Sequence, residues 1–138
     1  MEKGFSLIEI ITLLFVISIV TISYSHLQKS LTHLQMINYI HQSYQTFVFA
    51  KLLALTDLND THIRLNQNQL FITKGNKTVF NLTYPKSISA NINFRGYLGF
   101  KPNGNTKSPG TLQLSSKGIQ KEIRLSVGIA KWSYYFDP

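Results

Sequence analysis

The chain has no cysteine, and between Phe5 and Lys74 it has neither glycine nor proline. Without cysteine there is no disulfide framework and no thiolate metal site. Without the residues that most often break helices and set turns, the first half of the chain contains nothing to interrupt one long helix. Acidic residues are scarce: six Asp and Glu stand against fourteen Lys and Arg, for a formal charge of +8. From Thr61 onward only Glu122 and Asp137 oppose eleven Lys and Arg. Catalytic patterns are missing as well. There is no glycine-rich phosphate loop beside a lysine and no nucleophile elbow. His26, His33 and His41 are seven and eight residues apart, not the three or four that bring two helical ligands to one metal. Asp57, Asn59 and Asp60 imitate the start of a calcium loop, but the later glycine and the bidentate glutamate are absent, so they read as a helix-ending turn. Asn59, Asn76 and Asn81 open Asn-x-Thr sequons, which matter only in a eukaryotic secretory pathway. No catalytic residue, metal or cofactor is expected, and the chain does not read as an enzyme.

What is present is an apolar run from Phe5 to Ile22. About 20 such residues are needed for a helix to cross the hydrocarbon core of a bilayer. One carboxylate, Glu9, lies inside the run. A charge at mid-bilayer costs roughly 2.5–3.5 kcal/mol, so an ionisable residue in such a segment needs a reason. A secretory signal peptide would have a basic start, an apolar core and small residues before the cut; Lys3, Ser23 and Ser25 imitate this, but Glu9 interrupts the core. A plain anchor leaves Glu9 unexplained.

The segment Gly4-Phe5-Ser6-Leu7-Ile8-Glu9, followed by an unbroken apolar helix, resembles the processing site of type IV prepilins and pseudopilins: a glycine, an apolar residue, three more residues, then glutamate. The resemblance implies that residues 1–4 are a leader and that a prepilin peptidase cuts between Gly4 and Phe5. It implies N-methylation of Phe5 as the new terminus, and pairing of Glu9 with the α-amino group of a neighbouring subunit during assembly. A buried carboxylate needs such a partner, and the nearest cation further along the chain is Lys29, several turns away. The short leader departs from the pattern, because Glu2 offsets Lys3 and weakens the positive-inside cue. No proline stands at the family's usual helix kink, so a straighter helix is expected. Implied partners are the other pseudopilins of a helix bundle, the peptidase and the membrane.

The rest of the chain predicts an α+β fold: a long N-terminal helix packed on a C-terminal antiparallel β-sheet. Residues 5–26 form the membrane and assembly segment, 27–60 an amphipathic continuation and 61–138 the β-rich domain. Phe5 to Thr56 as one helix would be about 78 Å long. Leu27, Leu31, Leu34, Ile37, Ile40, Tyr44, Phe47, Leu52 and Leu55 recur at mostly three- and four-residue steps and predict the stripe that packs on the sheet. Strands are expected at His62–Leu65, Leu70–Thr73, Thr78–Thr83 and Ala90–Phe94, the first pair around an Asn66–Gln69 turn and the next joined by Gly75-Asn76. A turn-rich loop runs from Gly96 to Gly110. Thr111–Ser115 and Ile119–Val127 then face each other across Ser116-Lys117-Gly118, and an aromatic strand closes the chain from Ile129 to Phe136. This arrangement is similar to the GspH/FimT group of minor pseudopilins and to the competence pseudopilins of Gram-positive bacteria. The group's frequent glycine–arginine pair near the end is missing, since Gly128 precedes Ile129, and a role built on that arginine is not implied.

The resemblance therefore implies a minor pseudopilin of a DNA-uptake pilus, held single-pass in the cell membrane with its C-terminal domain outside and carried to the cell surface on assembly. The neighbouring alternatives are a pseudopilin of a type II-like secretion system and a membrane-anchored DNA-binding adaptor that does not polymerise. Basic charge in the β-domain attracts double-stranded DNA through its phosphates. The candidate contacts are Arg64, Lys74, Lys77, Lys117, Lys121, Arg124 and Lys131, with Tyr134 and Tyr135 as stacking platforms. Lysines spread singly along hairpins favour a solvated sheet surface, or one that meets the anionic cell envelope, over a dedicated DNA site.

Overall fold

The computed structural model describes residues 7–94, 98–125 and 133–135. It has the expected class: one long helix, α1 (Leu7–Asp57), and a set of antiparallel strands. Contacts divide the chain into two units, 1–34 and 35–138.

In the first unit every described residue from Leu7 to Leu27 is exposed, with Leu, Ile, Val and Phe on all sides of the helix. A helix apolar all round needs an apolar surrounding. Several hydroxyls are turned inward on the backbone: Thr12, Ser18 and Thr21 donate to the carbonyls of Ile8, Leu14 and Ile17 at 2.7–2.8 Å. Ser25 donates to the carbonyl of Ile22. This removes polar groups that hydrocarbon could not satisfy.

The second unit holds the remainder of α1 and eight strands. These are β1 (Thr61–Asn66), β2 (Gln69–Lys74), β3 (Lys77–Thr83), β4 (Ser89–Phe94), β5 (Leu98–Phe100), β6 (Gly110–Ser116), β7 (Ile119–Leu125) and β8 (Ser133–Tyr135). They form two sheets of four, β3-β2-β1-β5 and β4-β6-β7-β8, where one sheet was expected. Two hairpins close with both turn residues at positive φ, Gln67-Asn68 (45° and 64°) and Lys117-Gly118 (46° and 82°), the twist that suits two-residue hairpins. The first turn is thus two residues long, and Asn66 and Gln69 belong to the strands as a ladder pair.

The glycine-rich loop after β4 conceals β5, which returns to pair with β1. A Cβ on Gly99 would clash with the Thr61 carbonyl oxygen, so the close approach of these backbones requires glycine there. Three residues with a central glycine carry too little pattern to read as a strand.

The helix face that packs on the strands differs from the expected stripe. Met36, Ile40, Ser43, Phe47, Ala50 and Ala54 are buried, at three- and four-residue steps. Of the expected positions only Ile40 and Phe47 are fully buried; Ile37 and Tyr44 are half-buried, and Leu27, Leu31, Leu34, Leu52 and Leu55 are exposed. The large leucines carry the hydrophobic weight, but small residues set the contact. At Ala50 the helix comes close enough for the Thr61 hydroxyl to donate to its carbonyl at 3.1 Å. The apolar helix face joins Ile63, Leu70, Ile72, Leu98 and Phe100 of one sheet and Leu112, Leu114, Ile123 and Leu125 of the other in a single core.

Asn68 ties the two sheets together. Its Nδ2 donates to the carbonyls of Ile88 (2.6 Å) and Pro85 (3.3 Å), and its Oδ1 accepts from the N–H of Ala90 (2.9 Å). Its backbone carbonyl accepts from Tyr84. The β1–β2 turn therefore holds the segment that carries the chain from β3 to β4. We predict that Asn68→Ala, which loses three side-chain hydrogen bonds of about 1 kcal/mol each and strains a left-handed position, destabilises the fold by roughly 2–4 kcal/mol. Asn68→Gly, which relieves only the backbone, should fall between the two. Denaturant midpoints at unchanged slope measure this; an unchanged midpoint in Asn68→Ala would remove the staple from the account.

Candidate functional site

Glu9 stands in the first turn of the described helix and is exposed among Ile8, Ile10, Thr12, Leu13 and Val16. A carboxylate at a helix N-terminus gains about 0.3–1 kcal/mol from the dipole. That is less than the roughly 2.5–3.5 kcal/mol a charge costs at mid-bilayer, so the dipole alone does not offset deep burial. Gly4 and Phe5 lie outside the described residues. By length and composition α1 contains a segment able to cross a membrane, beginning at Leu7.

The described cationic candidates are spread over β1, the β2–β3 hairpin and the β6–β7 hairpin. Arg64 is exposed on β1 and alternates away from the buried Ile63. Lys74 and Lys77 are ladder partners in the row of Thr61, out of phase with Arg64. Lys74 is held by Asp57 at 2.7 Å. Lys117 is exposed in the β6–β7 turn, and Arg124 is paired with Glu122. Lys121 is a correction: it is only 4% exposed. It lies in phase with Ile119, Ile123 and Leu125, and the two-residue period of the strand turns its side chain toward the core. Lys131 lies outside the described residues, and the side chains of Tyr134 and Tyr135 are not described.

A polar recess of about 530 Å³ at the end of α1 is lined by Leu58, Asn59, Asp60, His62, Lys74, Gly75 and Pro102. The acids expected to form a helix-ending turn do so. Leu58 adopts φ 51° past the last helical residue, and Asn59 donates its side-chain amide to the Asp57 carbonyl at 2.8 Å. Each acid then takes a cation from the strands or loops: Asp57 takes Lys74, and Asp60 takes Lys107 at 2.6 Å. Lys107 was not among the sequence candidates, because its partner is 47 residues away and no local spacing reveals it. Among the described residues no group of three or more His, Asp or Glu converges.

The hydrogen bond from Lys107 holds the Asp60 carboxyl below its usual range. Burial, and then the nearby Lys107 ammonium, push the His62 imidazole below its ordinary value. Lys107 Nζ lies 3.5 Å from His62 Nε2. No family model, curated protein or solved structure matches the chain.

Both shifts have the same sign. His62 and Asp60 bind protons less readily folded than unfolded, so acid favours the unfolded chain. Stability is retained above pH 6.5 for His62 and is lost as pH falls through its lowered folded value; Asp60 adds a second loss below pH 3.8. We expect melting temperature to decline from pH 7 to pH 5, and His62→Gln to flatten that decline. An identical pH profile in the variant would exclude His62 as the cause.

Proposed function

We infer that the chain is a minor pseudopilin, cut after Gly4, held in the membrane by the N-terminal part of α1 and drawn from there into a short pilus that serves DNA uptake. The observation that carries this reading is the pairing of the Gly4-Phe5…Glu9 motif with an exposed, all-round apolar helix in which Glu9 is the sole acid before Asp57. Thr12, Ser18 and Thr21 turn their hydroxyls onto the helix's own backbone, and Glu9 carries the charge that hydrocarbon tolerates least. A neighbour's α-amino group, the partner that the resemblance implies, would set its charge against that of Glu9 and draw subunits into register. The β-domain is then the part presented outside the cell.

DNA contact, in this reading, falls to Arg64, Lys77 and Lys117, the candidates exposed without a described acidic partner. Their scatter supports weak, sequence-independent attraction rather than a dedicated groove. The competence role is favoured over secretion by the excess of basic residues after Thr61, and a polymerising subunit over a lone adaptor by the position of Glu9.

Mass spectrometry of membranes from strains with and without the peptidase tests processing. The expected product begins at methylated Phe5, and an intact Met1 in the peptidase-positive strain would overturn the reading. In the same strains Glu9→Val should insert and be cleaved yet reach sheared pili at reduced levels, as should Glu9→Gln, which keeps shape without charge. Wild-type incorporation of both would mean the carboxylate does not drive assembly.

For DNA, gel shifts with the full chain in detergent should weaken steeply between 50 and 200 mM salt, and Arg64→Glu with Lys77→Glu should weaken binding for every sequence tested. Absence of binding at low salt would leave the structural role alone.

A further inference from the structure

The outward face of the second sheet has a composition unlike the rest of the β-domain. Cross-strand register sets Asn91, Gln113 and Glu122 in one row and Asn93, Thr111 and Arg124 in the next. These six residues line a recess of about 250 Å³. No lysine lies in it, although eleven Lys and Arg follow Thr61. Its single acid and single base are paired with each other, Glu122 half-buried and Arg124 more open, so the recess carries no net charge. The opposite face of these strands is the core, with Leu112, Leu114, Ile123 and Leu125.

Asparagine is depleted in strands, and β4 places two at alternate outward positions, Asn91 and Asn93. A residue placed against local preference without a packing gain is a mark of function. Each amide offers two donors and an acceptor, and the carboxylate and guanidinium add planar acceptor and donor pairs. Cross-strand neighbours stand about 5 Å apart and alternate residues along a strand about 7 Å apart, a grid on the scale of the hydroxyls around a hexose ring. Gln113 and Gln120 extend it through a 3.3 Å amide contact. Tyr135 occupies the next register position beyond Glu122.

We propose that this face binds an uncharged glycan chain, its hydroxyl or acetamido groups hydrogen-bonded by Asn91, Asn93, Gln113 and Glu122. A neutral, amide-rich recess offers nothing to a phosphate polymer, whose binding depends on unpaired cations. It matches a ligand whose every polar group both donates and accepts.

The test titrates the full chain, in a detergent without a sugar headgroup, with cellohexaose and chitohexaose, and with duplex DNA as a charged control. Calorimetry should detect one or both oligosaccharides with an affinity unchanged between 50 and 300 mM salt. The preferred sugar tells hydroxyl from acetamido recognition. Asn91→Ala with Asn93→Ala, and separately Gln113→Ala, should weaken binding by about tenfold or more, whereas Asn66→Ala, an exposed amide on the first sheet, should leave it unchanged. Asn91 and Asn93 are exposed and Gln113 is half-buried, and matched melting temperatures confirm that the variants fold; Glu122→Gln supplies an isosteric variant that should also weaken binding. No heat with either sugar at millimolar concentration overturns the proposal. So does glycan binding that survives the Asn and Gln variants, or that falls with salt in parallel with DNA.

Discussion

The fold depends on how closely α1 can lie against the strands. The buried positions include Ser43, Ala50 and Ala54, whose small side chains let the helix backbone approach, while Met36, Ile40 and Phe47 fill the space toward the core. Burying such apolar surface contributes about 25 cal/mol per Å², and here residues of both sheets share the same cluster with the helix. A larger residue at Ala50 would separate the helix from Thr61, whose hydroxyl reaches the Ala50 carbonyl. The cost of overpacking, about 1–3 kcal/mol, would be felt in both sheets, because neither has a core of its own.

Two polar contacts then fix what hydrophobic burial leaves free. Asn68 holds the segment between β3 and β4, so the second sheet starts from a fixed place. Within that segment the Tyr84 hydroxyl meets Ser43 of the helix at 2.7 Å. Ser43 gives its own proton to the Tyr39 carbonyl, which leaves Tyr84 to donate. Burial pushes the Tyr84 phenol up to about 12, so it stays protonated and keeps that role throughout the physiological range.

Charge is distributed by the same logic. Where a cation has an acid within reach, the pair closes a joint: Lys74 with Asp57 at the helix end, Lys107 with Asp60 beside His62. Such surface pairs are individually worth little, but they remove cations from the pool available to a polyanion. The amide face of the second sheet is neutral for a different reason, its one acid and one base being neighbours on a single strand. A chain of formal charge +8 thus presents both a scattered cationic surface and a neutral polar one.

The sequence by itself determined the long helix, its all-round apolar beginning with Glu9, its end near Asp57 and most of the strands. These depend on local signals: absence of breakers, periodicity and turn residues. Gly75-Asn76 sets its hairpin without help from afar, as does Lys117-Gly118 within the expected Ser116–Gly118 turn, whose Ser116 proves to be the last residue of β6. The tertiary structure alone decided which face of α1 is buried, since the leucines that dominate the pattern lose to small residues that permit close approach. It also decided that there are two sheets and that β5 pairs with β1, since no three-residue stretch around Gly99 announces a partner 37 residues away. Lys121 marks the boundary between the two kinds of knowledge. Its two-residue spacing from Ile119 and Ile123 stands in the sequence, but that the shared face turns inward follows only from the core it meets.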